Sequence, residues 1–325
     1  MTKKNFDATA KTRTPAKAGS SPKIGPTGEN TAMKYIKERL LKKALLLLLM
    51  LLMGTTGWMR LNAEIVHVRH GEVAIAGLPT AFEGVKVLYV TDIDITGIRT
   101  IKQIESLFSR LKQLEPDLLL LGGDYSNPSL IERLNGSGNK HTQIVAEQFF
   151  RMLMDFPAPL GKFAIAGDND GDPEVLAKAA ATGGVRLLNC EIVPVTRGGD
   201  TLYVAGIPWG ARNITTLASQ LKTEQCVLTM IHSPGQLVDI RIAEAEGGGS
   251  WSDLLLAGHT HGGQILLGNR PIFTLDEQEK YYIGGWYSAS ATPLLVSSGV
   301  GCEAANFRLG TESEVWLLTL RRAAA

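Results

Sequence analysis

Five short apolar runs in this chain end, within a residue or two, in an aspartate or a histidine. That repetition restricts the fold more than any other feature. Val85 to Val90 runs into Asp92, Leu118 to Leu121 into Asp124, and Phe163 to Ala166 into Asp168. Cys226 to Ile231 leads to His232, and Asp253 to Leu256 leads to His259. Short apolar runs bounded by turn residues read as buried strands. Between them, Ile101, Ile104, Leu107, Phe108, Leu111 and Leu114 recur at helical spacing until Pro116. Further helices are expected from about Thr142 to Phe156 and from Glu174 to Ala181, and further strands at Leu202 to Ile207, Pro293 to Ser297 and Val315 to Leu320. Strands alternating with helices predict an α/β fold.

In open α/β sheets, ligands bind in the crevice beyond the carboxyl ends of the strands. Residues far apart in the sequence can therefore converge there. One acid at a strand end starts a turn or caps a helix. Five such ends, joined by Asp94 and His261, are hard to ascribe to turns. Four carboxylates crowded into one crevice repel one another unless cations neutralise them. The spacing thus predicts a metal site, binuclear with one carboxylate shared.

The densest part of the pattern is Ala257-Gly258-His259-Thr260-His261-Gly262-Gly263-Gln264. Two histidines one residue apart at a strand end, followed by paired glycines, can aim both imidazoles into one crevice, because glycine lets the backbone turn tightly. Taken alone, the octapeptide also fits two hydrogen-bonded loop histidines. His67 and His70 sit in the alternating run Ile65 to His70, an edge-strand pattern far in sequence from the acids, and read as surface residues.

The formal net charge of +1 sums two opposite regions. Residues 1–43 carry 11 Lys or Arg against 3 acids, and the remainder 22 against 29. An acidic globular part argues against nucleic acid as a partner, since phosphate backbones recruit basic surfaces. Cys190, Cys226 and Cys302 are scattered, with no CxxC spacing, and read as buried inert thiols. Residues 1–33 read as a disordered basic arm. Basic residues then flank an uncharged stretch from Ala44 to Met59. As a helix it reaches about 24 Å, slightly short of a bilayer core of about 30 Å, and Lys43 and Arg60 can snorkel to close the gap. Leu61-Asn62-Ala63 matches a cleavage site poorly. Residues 34–60 are therefore expected to form a membrane signal-anchor with a cytoplasmic N-terminus, and residues 61–325 a domain on the far side.

The chain resembles the calcineurin-like metallophosphoesterases, in the branch with an N-terminal membrane segment and a Gly-His-Thr-His-Gly-Gly-Gln signature. The resemblance spans roughly residues 74–320. It rests on the signature at 258–264, on Gly123-Asp124, on His232 before Ser233-Pro234, and on Val296-Ser297-Ser298-Gly299-Val300-Gly301, all in the family's order. It implies two packed mixed β-sheets flanked by helices, an αββα sandwich. It also implies that Asp92, Asp94 and His261 hold one metal, that Asp168, His232 and His259 hold a second, and that Asp124 bridges both. The implied chemistry is hydrolysis of a phosphoester by a hydroxide activated on the two metals. Arg308 would contact substrate phosphate in the family's manner, or else make a surface salt bridge.

Two departures from the family's pattern matter. Asp92-Ile93-Asp94 stands where Asp-x-His is usual, and Gly167-Asp168-Asn169-Asp170 where Gly-Asn-His-Asp is usual. Harder oxygen ligands favour Mn²⁺, with Mg, Fe or Zn as alternatives. Asn169 occupies the position of the usual catalytic histidine and cannot deliver a proton to a leaving group, help typically worth about 10²–10⁴-fold. A phosphodiester or a diphosphate linkage with an undemanding leaving group, possessed by a lipid-linked or nucleotide-lipid substrate, fits that loss. The competing reading is a catalytically weakened relative that binds metal without turnover.

Overall fold

The computed structural model describes residues 28–323 other than 97, 273–275, 289–291 and 304. Most of the expected basic arm lies outside the described residues, and from Gly28 onward the chain is already helical. Contacts divide the chain into two units, Met1–Gly54 and Thr55–Ala325. In the first unit the described residues are helical, the opening part of α1 (Gly28–Glu64). This helix extends past the uncharged stretch at both ends, because the flanking Lys, Glu, Arg and Ala are good helix formers. It is long and apolar enough to cross a membrane, and its apolar stretch is exposed.

The second unit follows in the order β1 (Val66–Ile75), β2 (Lys86–Val90), α2 (Ile101–Leu111), β3 (Leu118–Leu121), α3 (Leu130–Leu134), α4 (Gly138–Met152), β4 (Lys162–Ala164), α5 (Pro173–Thr182), β5 (Arg186–Leu187), β6 (Glu191–Arg197), β7 (Asp200–Ile207), α6 (Ile214–Ala218), β8 (Val227–Ile231), α7 (Leu237–Ile242), β9 (Leu254–Ala257), β10 (Leu266–Leu267), β11 (Arg270–Pro271), β12 (Gly285–Tyr287), β13 (Leu294–Val296) and β14 (Ser313–Arg322). One six-stranded sheet runs β1-β14-β2-β3-β4-β5 and the other β12-β13-β9-β8-β7-β6. Both are mixed, with β2, β3 and β4 parallel in the first and β7, β8 and β9 parallel in the second.

Alternation along each strand builds three apolar layers. Val87 and Tyr89 of β2 face the other sheet and pack with Leu228, Met230, Leu254 and Leu256. Leu88 and Val90 point the other way, onto α2, α4 and α5. Val227 and Ile231 do the same on the far sheet against α6 and α7. The architecture is an αββα sandwich of two mixed sheets flanked by helices.

Some boundaries differ from expectation. The second long helix spans Gly138–Met152, not 142–156. Phe156, past its end, still packs on Phe108 at 5.6 Å, so the apolar pattern outlasts the helix. The hairpin of β6 and β7 turns at Gly198 and Gly199, both at positive φ, a two-residue turn that suits paired glycines. Neither β6 nor the short α3 was expected.

Candidate metal centre

Because β2, β3 and β4 are parallel neighbours in one sheet, and β8 and β9 in the other, their carboxyl ends open on the same edge. Ligand atoms of Asp124, Asp168, His232 and His259 lie within 4.8 Å of one another, a group that could hold a metal ion. His232 Nε2 is 3.1 Å from Asp168 Oδ1 and 3.7 Å from Asp124 Oδ2, while its Nδ1 lies 2.8 Å from the Gly122 carbonyl. His259 Nδ1 is also 3.1 Å from Asp168 Oδ1. Burial works to raise the Asp168 carboxyl, but the hydrogen bonds of two imidazoles hold it well below the usual carboxylate range.

Beside this group, His261 Nε2 is 3.7 Å from Asp94 Oδ2 and 3.9 Å from Glu303 Oε2. Both carboxylate oxygens of Asp94 and both ring nitrogens of His261 are buried and have no hydrogen-bond partner among the described residues. Such atoms cost about 1–3 kcal/mol each when left unsatisfied. Burial, then the charges of Asp124 and Asp92, push the Asp94 carboxyl well up. Burial, then Arg308, push the His261 imidazole well down. A carboxylate and a neutral imidazole, each lacking a partner, are donors that a divalent cation satisfies, so these residues fit a metal. Asp92 is fully buried and accepts from Thr91 Oγ1 at 2.8 Å and from the His259 amide at 2.9 Å. Burial raises it to about 6.

The backbone is bent at these same positions. Asp92, Asp94, Asp124, His259 and His261 have φ of 50°, 47°, 54°, 69° and 50°. The left-handed region costs a non-glycine residue on the order of 1–2 kcal/mol, and such strain gathers at functional sites. Gly167 and Gly258 permit the close packing, since a Cβ on either would overlap the carboxylate of Asp124 or Asp92 respectively.

Asn169 stands against Asp124. Its amide N and its Nδ2 each donate to one Asp124 oxygen, both at 2.9 Å. Its Oδ1 accepts from Arg133 at 2.8 Å, and Arg133 also donates to Asn127 Oδ1 at 2.7 Å. Arg308 neither faces substrate nor makes a surface salt bridge. It is fully buried and donates to the carbonyls of His261, Ser298 and Gly301 at 2.9, 2.6 and 2.7 Å. An arginine amid bent loops is used here to satisfy carbonyls that no strand can.

Three further residues support the crevice. Asp170 accepts from the amides of Asp124, Tyr125 and Gly167 at 2.8, 2.8 and 2.7 Å, and burial with Asp124 nearby lifts its carboxyl to about 7. Glu279, itself buried, accepts from Ser233 Oγ at 2.6 Å and lies 3.4 Å from His259 Nε2. The Trp209 ring packs 5.0 Å from that of His259. Asp170 follows the residues flagged in its motif by one position. Nothing local marks Glu279 or Trp209 for the site, since their contacts with Ser233 and His259 are long-range. A cavity of about 460 Å³ opens beside Asp94, lined among others by Arg99, Asn127, Arg133 and Glu303.

No family model matches the chain. It is 24% identical over 278 residues to the uncharacterized metallophosphoesterase YkuE of Bacillus subtilis (strain 168), covering 82% of this chain and 90% of that protein. Several of its sequence relatives are named metallophosphoesterases. One, a transmembrane protein with metallophosphoesterase domain of Danio rerio, is 21% identical over 269 residues, covering 78% of this chain and 56% of that protein. Among solved structures, the calcineurin-like phosphoesterase YfkN from Bacillus subtilis superposes with a TM-score of 0.36 at 11% identity, covering 73% of this chain and 91% of that one.

Proposed function

We propose that this chain is a membrane-anchored hydrolase that cleaves a phosphodiester or diphosphate bond with two divalent cations, Mn²⁺ foremost. The observation that carries the reading is the buried, unpartnered pair Asp94 and His261 beside the group Asp124, Asp168, His232 and His259. Asp92, Asp94 and His261 would hold one cation, Asp168, His232 and His259 the other, and Asp124 both. When bound, the cations supply Lewis-acid charge and ionise a water at neutral pH.

The chain's own residues do the rest. Asn169 fixes both oxygens of Asp124 through its two donors, which orients the carboxylate that would be shared by the cations before substrate arrives. Arg133, held by Asn127 and Asn169, places a guanidinium beside the phosphoryl position at the cavity wall. Asn169, unlike a histidine, cannot pass a proton to the leaving group. Substrates whose leaving group departs as an anion, such as a diphosphate, suit this site best. We extend the reading to a lipid-linked or nucleotide-lipid substrate, with α1 as an uncleaved anchor, a cytoplasmic N-terminus and the globular unit across the membrane. The support is the positive charge preceding the apolar stretch.

The test is hydrolysis of bis-p-nitrophenyl phosphate and of a nucleoside diphosphate ester by the full chain in detergent with Mn²⁺. Release well above a His261→Ala control is expected for both. Metal binding without release would instead favour the weakened, binding-only relative that Asn169 makes conceivable.

A further inference from the structure

We propose that Ile98 and the aliphatic residues of α3 form a lip that inserts into a lipid bilayer at the mouth of the cavity. Leu130, Ile131 and Leu134 are 72%, 74% and 79% exposed, and Ile98 is 55% exposed. The helix that carries the three buries none of its five residues. It forms for local reasons, since Ser129 and Glu132 close a capping box with hydrogen bonds in both directions. Its aliphatic side chains are thus presented by a defined element and left largely exposed. Clustered exposed apolar residues of this kind mark an interaction surface.

What covers the lip follows from where the chain leaves its apolar helix. Residues 55–64 belong to the globular unit. Within it, Arg99 donates to the Ala63 carbonyl, Asn62 Nδ2 to the Thr311 carbonyl at 2.9 Å, and the Arg308 amide to the Met59 carbonyl at 3.0 Å. The uncharged stretch ends at Met59, so Ala63 follows it by about 6 Å of helix. Arg99, fastened there, lines the same cavity as Ile98 and Leu130. A chain anchored through that stretch holds these residues at the bilayer boundary, and the occupant their chemistry fits is the acyl layer of the leaflet. The cavity that reaches Asp94 then opens toward the membrane, and its substrate arrives from the bilayer as an amphiphile with a phosphorylated head. This inference rests on reading α1 as a membrane anchor.

The test uses the full chain in nanodiscs of phosphatidylcholine and phosphatidylglycerol. An environment-sensitive fluorophore is placed at Ile131→Cys, or at Lys178→Cys on the exposed face of α5, in a Cys190→Ser background. Doxyl-labelled lipid should quench the label at 131 and leave that at 178 bright. In parallel, Ile131→Glu with Leu134→Glu should lower turnover of a bilayer-borne diphosphate lipid about tenfold or more, while bis-p-nitrophenyl phosphate turnover is unchanged. An unquenched label at 131, or one shielded equally in lipid-free detergent by a second copy or a partner protein, overturns the lip. Release of the chain by alkaline carbonate overturns the anchor reading and the lip with it. A quenched label on a chain that hydrolyses nothing supports the lip and refutes the hydrolase.

Discussion

The two ends of the crevice settle their charges differently. At one end Asp168 sits between two imidazoles, each 3.1 Å away, and His232 spends its other nitrogen on a carbonyl. That end is neutralised by its own side chains. At the other end Asp94 and His261 are more deeply buried than Asp168 or His259 and, among the described residues, have no hydrogen-bond partner. The contrast teaches that the first end can stand without a cation, whereas the second is a structural debt only a cation removes. Backbone strain touches both ends, at His259 in the first and at Asp94 and His261 in the second, so strain alone does not separate them.

The sharpest way to break this comparison is to delete one histidine from each end. His261→Ala should lower phosphoesterase turnover by at least about 10³-fold and drop the bound metal by one equivalent, read by elemental analysis. In chelated protein, however, the same substitution should leave Tm unchanged or raised, because it removes unsatisfied buried atoms. His232→Ala in chelated protein should lower Tm by about 5 °C or more, since it strips Asp168 and Asp124 of a buried partner. Equal losses of Tm from the two would end the distinction.

Glu279 sharpens the neutralised end. A carboxylate behind a ligating imidazole fixes its tautomer, and removing such a partner typically weakens metal binding about 10–100-fold. Glu279→Gln should therefore weaken Mn²⁺ binding at one of two sites in a calorimetric titration, with the other unchanged. An unaltered isotherm would reduce Glu279 to a cap for Ser233. Asn169→His is a smaller step. A proton donor there should raise turnover on poor leaving groups by about tenfold, at the low end of general-acid effects, because the same change costs Asp124 and Arg133 their contacts with the amide. An equal gain on p-nitrophenolate would refute the proton-donor account.

Much of the crevice was readable from the sequence because strand ends are local signals. An apolar run followed by Asp or His says where the side chain must emerge once the sheet is formed, and β2, β3, β4, β8 and β9 obey it. The alternation of Val87 and Tyr89 with Leu88 and Val90 cannot be read as two burial faces from an all-apolar run, since both faces are covered. The partners of the strand-end residues were equally hidden. Glu279 reaches Ser233 and His259 across the fold, and Arg308 turns inward because the loops around it leave carbonyls free. Such placements depend on which loops meet, which no local pattern encodes. The short α3 was missed although its capping box is plainly written, because its aliphatic residues face no core and give no periodic signal.

The smallest expected effect concerns pH. Asp92 and Asp170 are raised by burial to about 6 and about 7, against about 4 in an unfolded chain. The folded, metal-free protein therefore holds these protons more tightly than the unfolded one. Their contribution to stability is full below pH 4 and is lost as pH climbs through 6 and 7. Asp94 and Asp124, raised for the same reason, act in the same direction. His261 opposes them, because an imidazole held neutral by burial favours folding more as pH rises toward 6.5. Asp168 is silent in this window, being ionised in both states above about pH 5. His232 and His259, which burial lowers but neighbouring carboxylates hold above 6.5, lose their contribution as pH rises and so add to the carboxylates. Together these groups outweigh His261, so Tm of the chelated protein should fall by a few degrees from pH 5 to pH 8. With Mn²⁺ bound the ligating carboxylates are held charged at every pH in that range, and the fall should shrink to what Asp170 contributes. A chelated protein whose Tm is flat or rises, or one whose slope is the same with Mn²⁺, would mean that the buried acids find their counter-charge within the chain and that the unpartnered end is no metal site.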